Sequence, residues 1–251
     1  MPKFSAKLVD DPSIEKSSSA IRLMCLSDTH GVHNNINKNT IFPADILLFA
    51  GDMTLFGNPE HAESFKNFIT SLPVQHKVII SGNLDLPFDL KNYSHFTEWF
   101  SKFSYKNGPE SIKTTFTEDQ DIIYLEHQAV TIENVKIFGS PFTPAFGDFG
   151  FPTTKDTASK LWEQVPEDTD VILCHGPPHN ICDMTSTGFH AGCPELRKSV
   201  ERVKPAAVVF GHIHEAHGNT MIGNTLCCNV AIVNSNRDVA YGPTYIDLIQ
   251  L

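Results

Sequence analysis

No apolar run in the 251-residue chain is longer than a buried strand. A membrane-crossing helix needs about 20 consecutive apolar residues, so no span and no membrane partner are expected. Lys3 stands near the start with no apolar stretch behind it, so no secretory signal is expected either. Cysteine is scarce. The six thiols (Cys25, Cys174, Cys182, Cys193, Cys227 and Cys228) are too sparse for a disulfide scaffold and point to a reducing compartment, the cytoplasm. Basic residues are outnumbered, with 19 Lys and Arg against 29 Asp and Glu for a net charge of −10. Tracking a nucleic-acid backbone needs clustered Lys and Arg, so no nucleic-acid polymer is expected as a partner. One small phosphorylated ligand is not excluded, because a bound metal can supply the local positive charge.

What is present is apolar surface in short pieces. Hydrophobic residues make up 41% of the chain and include 18 Phe, enough to fold around. From Ile21 onward the chain repeats a short apolar run, a polar loop and often a helical stretch. The runs cover 21–26, 45–50, 77–81, 121–125, 135–139, 171–174 and 206–210. Their length and near-continuous apolarity suit strands covered on both faces. Residues 59–72 predict a helix, with Pro59 at its first position and Ala62, Phe65, Phe68, Ile69 and Leu72 as its apolar residues. A second helix is predicted over 193–203, with Leu196, Val200 and Val203 on one face and Pro205 closing it. Residues 129–132 and 135–139 read as a hairpin around Glu133-Asn134, and 227–233 and 244–249 as two further strands. Residues 1–20 are polar and read as a leader. No repeat or linker divides the rest, so 21–251 reads as one α/β domain.

The polar residues fall directly behind the apolar runs, where open α/β sheets place ligands. Behind the first come Ser27-Asp28-Thr29-His30, behind the second Gly51-Asp52, and behind the third Gly82-Asn83-Leu84-Asp85. Later runs are followed by His175-Gly176-Pro177-Pro178 and by Gly211-His212-Ile213-His214. Residues two apart on extended chain point the same way, so Asp28 with His30, and His212 with His214, can each address one point. Imidazole, carboxylate and amide oxygen without thiolate suit Mn, Fe, Zn or Ni. Taken singly, each element has an ordinary reading: a turn acid beside a surface histidine, a Gly-Asp turn, a buried histidine. Five of them in order, each behind its own strand, do not. Seven such groups exceed the needs of one ion and suit two ions sharing a carboxylate.

This ordered set resembles the calcineurin-like metallophosphoesterase superfamily, whose blocks read Asp-x-His, Gly-Asp, Gly-Asn-His-Asp/Glu, His and Gly-His-x-His. Within it the chain is similar to the metallophosphoesterase-domain-containing group of class III-type phosphodiesterases. The segments 27–31, 45–52, 139–141, 175–178, 188–193, 210–215 and 234–235 carry that likeness. The resemblance implies a four-layer sandwich, two packed mixed β-sheets flanked by helices. It implies that Asp28, His30 and His214 hold one metal and Asn83, His175 and His212 a second, with Asp52 bridging. It further implies hydrolysis of small phosphodiesters, cyclic nucleotides among them, by a metal-bridging hydroxide. Two ions about 3.5–4 Å apart can activate a shared water and clamp an in-line displacement. Manganese is the metal expected in vitro, with iron, zinc and nickel as alternatives.

One position departs from the pattern. The family's Gly-Asn-His block carries Leu84 where the leaving-group acid belongs, followed by Asp85, the residue that would orient it. Leucine cannot donate a proton, and general acid catalysis is worth about 10²–10⁴-fold. His33, His179 and His217 are the candidate replacements, though ordinary loop histidines are the commoner case. A degenerate phosphoesterase that binds nucleotide or protein without turnover is the alternative reading. A phosphomonoesterase is weaker, because Arg22, Arg197, Arg202 and Arg237 all lie away from the ligand motifs in sequence. Phe142, Phe146, Phe149 and Phe151 read equally as an apolar wall for a base or as cover for a sheet edge.

Overall fold

The computed structural model describes residues 3–251. Along the chain run β1 (Phe4–Leu8), β2 (Ala20–Leu26), β3 (Ala44–Ala50), α1 (Pro59–Ser71) and β4 (Val74–Ile80). Short helices α2 (Thr97–Phe100) and α3 (Ser111–Thr117) precede β5 (Ile122–Tyr124). Next come β6 (Gln128–Ile132), β7 (Val135–Ser140), the short β8 (Thr143–Pro144) and β9 (Pro152–Thr153), and α4 (Lys155–Trp162). The chain continues through β10 (Val171–Cys174), α5 (Pro194–Val203) and β11 (Ala207–Phe210), then β12 (Gly218–Ile222), β13 (Thr225–Asn229) and β14 (Thr244–Gln250).

Two mixed sheets result. The first has the order β1-β14-β2-β3-β4-β5, parallel from β2 to β5, with β14 and β1 added antiparallel. The second has the order β12-β13-β11-β10-β7-β6, with four parallel central strands and antiparallel edges. Alternate side chains of the first sheet (Leu23, Cys25, Ile46, Leu48, Val78, Ile80) pack against Ile137, Val171, Leu173, Val209 and Cys228 of the second. The intervening Met24, Leu47, Phe49 and Ile79 face α1 and α3 through Phe65, Ile69, Ile112 and Phe116. On the other side Ile172, Val208, Phe210 and Cys227 meet Trp162 of α4 and Leu196 and Val200 of α5. The molecule is therefore a helix–sheet–sheet–helix sandwich, as expected. Burying a side chain of this size contributes about 1.5–3 kcal/mol, and burial on both faces is why the central strands read as unbroken apolar runs.

The predicted helices form for local reasons. The Asn58 side chain accepts the Glu60 and His61 N–H groups at the start of α1, and Pro59 occupies its first turn. Lys204, in the left-handed region at φ 54°, ends α5 before Pro205.

Two expectations are corrected. Residues 4–8 of the supposed leader form β1, which pairs antiparallel with β14 and buries Phe4 between the sheets. The first two leader residues lie outside the described part of the chain. Arg22 pairs with both oxygens of Asp247 (2.8 and 2.9 Å) and donates to the Pro12 and Ile14 carbonyls, tying down the loop that follows. A five-residue edge strand is too short for its alternation to stand out. Residues 227–233 are not one strand either: β13 ends at Asn229, and Ala231 bridges to Ser27 in the other sheet. Finally, β12 and α4 were not anticipated. β12 buries no residue fully, and α4 buries only Ala158 and Trp162, too few to make a stripe. Among the described residues no helix is long and apolar enough to cross a membrane.

Candidate metal centre

Five parallel strands deliver the site. Asp28 and His30 follow β2, Asp52 follows β3 and Asn83 follows β4, all in the first sheet; His175 follows β10, and His212 and His214 follow β11, in the second. The C-terminal edges of the two sheets meet, and all seven residues come together at the seam. The His214 Nε2 atom lies 3.4 Å from Asp28 Oδ1 and 3.1 Å from His30 Nε2. Asp52 Oδ2 lies 3.9 Å from His30 Nε2 and 3.5 Å from His175 Nε2. His175 Nε2 is 2.9 Å from Asn83 Oδ1, and its ring centre is 5.0 Å from that of His212. Asp28, His30 and His214 form one group whose ligand atoms could hold an ion; Asp28, Asp52 and His175 form another.

The surrounding hydrogen bonds aim these atoms. The Ala50 carbonyl takes the His175 Nδ1 proton at 2.8 Å, which turns Nε2 toward Asp52 and Asn83. Asp28 Oδ2 accepts the His212 N–H at 2.9 Å and the Ser27 hydroxyl. Asp52 Oδ1 accepts the Leu84 N–H at 2.8 Å. By contrast, the buried Asp28 Oδ1 and His30 Nδ1 have no partner. An unpaired buried carboxylate oxygen is costly, and a divalent cation is the partner that this oxygen and imidazole set suits. The residues fit a metal.

The backbone is also strained here. Asp28 (φ 56°), His30 (φ 42°), Asp52 (φ 58°) and His212 (φ 69°) all lie in the left-handed region. Such conformations cost roughly 1–3 kcal/mol each and persist where the surroundings impose them. Two glycines permit the approach of the sheets. A Cβ on Gly211 would overlap Ser27 and Asp28, and one on Gly82 would overlap Asp52 and His175.

Electrostatics divides the histidines. Burial opposes charge on His175 and His214, yet Asp52 lifts His175 to about 9 and Asp28 raises His214. Burial and the His175 charge press His212 down to about 4, and burial lowers His30. Asp28 and Asp52 are lowered despite their burial, by His214 and His175 respectively.

Residues 21–216 match the sequence profile of the calcineurin-like phosphoesterases. The chain belongs to the calcineurin-like phosphoesterase family. It is 33% identical over 237 residues to human metallophosphoesterase domain-containing protein 1, covering 90% of this chain and 71% of that protein. It is 34% identical over 226 residues to the UPF0046 protein K07C11.7 of Caenorhabditis elegans, covering 89% and 73%. In structure it resembles TT1561 of Thermus thermophilus, with a TM-score of 0.54 at 13% identity over 84% of this chain and 88% of that one. That last likeness concerns the fold alone.

In this calcineurin-like phosphoesterase Leu84 is buried, and its contribution to the site is the main-chain N–H given to Asp52. Asp85 accepts N–H groups from Gly82, Met53 and Thr54 and the Thr54 hydroxyl, so it braces the Asp52 turn. Burial and the Asp52 charge push its carboxyl up to about 7, against those donors. His33 is buried against Phe65 and Phe68 with Ser64 as its partner, and His217 stacks on Tyr241. Of the phenylalanines, Phe142 and Phe151 pack inward, while Phe149 stands beside Phe56, itself stacked on Trp99, and Phe146 is 71% exposed. The loop that carries them reaches the site, because the Gly150 N–H bonds the Asn83 carbonyl at 2.9 Å.

Two features were missed in sequence. Ala231 pairs in parallel with Ser27 and the chain then continues into the 234–238 turn, whose Arg237 charge opposes protonation of both His30 and His214. Arg237 is 207 positions from His30, and no local pattern announces that influence. The other is His190, bonded to the buried Asp183. The signal was present, an Asp and a His seven apart behind His175-Gly-Pro-Pro, but such pairs are common in loops.

Proposed function

We propose that this chain is a two-metal-dependent phosphodiesterase acting on small phosphodiesters, cyclic nucleotides among them. The observation that carries the reading is the convergence of oxygen and imidazole donors in two overlapping groups, Asp28 with His30 and His214 and Asp28 with Asp52 and His175, with Asn83 and His212 beside His175 and Asp28 Oδ1 buried without a partner. Asp28, His30 and His214 would hold one ion and Asn83, His175 and His212 the other, with Asp52 between them. Bound there, two divalent ions, manganese first among those suitable, supply Lewis acidity at phosphorus and an activated water. The chain's own residues orient the rest. The Leu84 N–H fixes one oxygen of Asp52 and leaves the second facing both His30 and His175. The Arg237 charge, felt at both His30 and His214, would help attract an anionic ester. A single arginine suits the monoanion of a diester better than the dianion of a monoester. The Phe149–Phe56–Trp99 ledge offers an apolar face to an aryl or nucleobase group. The unpaired thiols support a cytoplasmic setting.

Leu84 favours a second reading, a binding module without turnover. The experiment that separates the two is hydrolysis of bis-p-nitrophenyl phosphate and p-nitrophenyl phosphate by chelator-stripped protein refilled with manganese. The diesterase reading expects turnover of the diester over the monoester, abolished by Asp52→Asn or His175→Ala. Full activity in those variants overturns the site assignment. Two bound metals without turnover favour the binding module.

A further inference from the structure

The site as described has no side chain placed to protonate a leaving oxygen. Leu84 has no proton to give, and Asp85 has both oxygens engaged with the turn it braces. A separate acid–imidazole pair stands on the loop between β10 and α5. His190 Nδ1 lies 2.7 Å from Asp183 Oδ1. Asp183 is only 1% exposed, and its other oxygen accepts the Asn180 and Gly192 N–H groups at 2.9 and 3.0 Å. The carboxylate is thus fixed from two sides and the imidazole from one. With Nδ1 turned inward, Nε2 is the free nitrogen of a side chain that remains 37% exposed.

The loop is built against the metal centre. It starts at His175, and Asn229 Nδ2 bridges the Cys182 carbonyl (3.2 Å) to the carbonyl of Ile213 (2.8 Å), the residue between His212 and His214. The Ser186 N–H bonds the Glu215 carboxylate at 2.7 Å. Both ligand-bearing segments of the second sheet therefore anchor the loop that carries the pair. The titratable groups facing His190 are Asp183 and His179, whose ring is 5.8 Å away edge-on, with Glu215 across the loop tip. The buried His179 Nδ1 has no hydrogen-bond partner and lies 3.7 Å from Asp183 Oδ2, too far to compete for the carboxylate.

We propose that His190, oriented by Asp183, is the acid that protonates the leaving oxygen in place of the histidine missing at position 84. The inference rests on the diesterase reading. In the step, a water oxygen forms the new P–O bond and loses one proton to solvent. The old P–O bond breaks with its electron pair going to the leaving oxygen, which takes the Nε2 proton of the doubly protonated His190 and departs as an alcohol, leaving a neutral imidazole whose one proton is the Nδ1 proton held by Asp183. His190 then regains a proton from solvent. Asp183 is a positioning residue: by accepting the Nδ1 proton it selects the rotamer and keeps Nε2 turned outward.

The test compares leaving groups in the manganese-loaded full chain. Bis-p-nitrophenyl phosphate expels an anion that needs little protonation, whereas 2′,3′-cyclic AMP expels a ribose alkoxide that needs it. His190→Gln is expected to lower kcat on the cyclic nucleotide by about 10²–10⁴-fold. Its loss on the aryl diester should be at least about 10-fold smaller, so the ratio of the two rates opens. Asp183→Asn should move the ratio the same way by less. A readout free of metal and turnover is histidine 1H–15N NMR of the apo protein, where His190 should carry its proton on Nδ1 when neutral and lose that preference in Asp183→Asn. Equal losses on both esters, with wild-type turnover intact, would show that the pair only shapes the loop, and the diesterase reading would survive. No wild-type turnover of either ester overturns both readings.

Discussion

Asp85 and Asp183 are both buried in loops that follow ligand-bearing strands, yet they do different work. Around Asp85 the chain wraps tightly enough that three main-chain N–H groups and the Thr54 hydroxyl reach its two oxygens. Around Asp183 only two N–H groups arrive, both at one oxygen, and the other is left for His190. The number of local N–H groups that claim a buried carboxylate decides whether it braces a turn or aims a side chain.

The largest expected effect tests the bracing role. Asp85→Ala leaves three buried N–H groups without partners, at about 1–3 kcal/mol for each not rescued by water, and leaves the Thr54 hydroxyl only its long bond to the Leu84 carbonyl and the Gly57 N–H. A loss of about 3–5 kcal/mol in urea unfolding is expected, with weaker metal binding because the Asp52 turn loosens. A loss below about 1 kcal/mol would break the contrast with Asp183.

Next in size is a histidine without any acid partner. Burial holds His33 down to about 4, below its ordinary 6.5. Its folded pKa is depressed, so its contribution is fully present above pH 6.5 and declines as the pH falls from 6.5 toward 4. At about 1.4 kcal/mol per unit, up to about 3 kcal/mol of stability is lost over that window. Denaturation midpoints measured across it should flatten in His33→Gln. An unchanged slope would assign the pH dependence elsewhere.

Leu84→His sharpens the comparison directly. A histidine restored at 84 finds Asp85 already engaged and has nothing to orient it. The expected gain on 2′,3′-cyclic AMP is under about 10-fold, well short of the 10²–10⁴ that a positioned acid supplies. A larger gain would mean that Asp85 releases an oxygen when asked. The smallest effect is expected from Arg237→Ala. Losing an exposed cation felt at the centre should raise KM about 3–5-fold and leave kcat nearly unchanged, the pattern of ground-state binding. Steady-state kinetics at two salt concentrations checks it, since the wild-type advantage should shrink at high salt.

Much of the molecule was legible before folding. The apolar runs at 45–50 and 171–174 coincide with β3 and β10 within a residue, because burial on both faces writes itself into consecutive positions. Helix α1 was readable from Pro59 and its apolar spacing, whereas α4 was not, because it buries too few residues to make a pattern. β1 escaped because an edge strand needs only one buried face and five residues. In the candidate centre, the seven predicted ligands could be named from their places behind strands.

The sequence by itself determined which residue types stand at each strand end, since that is a matter of a few consecutive positions. It determined likewise that the strand-end motifs themselves contain no cysteine, lysine or arginine. Only the tertiary structure decided that Asp28 Oδ1 is left without a partner, that Asp85 is consumed by its turn while Asp183 holds His190, and that the Arg237 charge is felt at His30. Each of those outcomes depends on groups brought together by sheet pairing and loop closure, and hydrogen-bond satisfaction is a property of the assembled neighbourhood, not of any one segment.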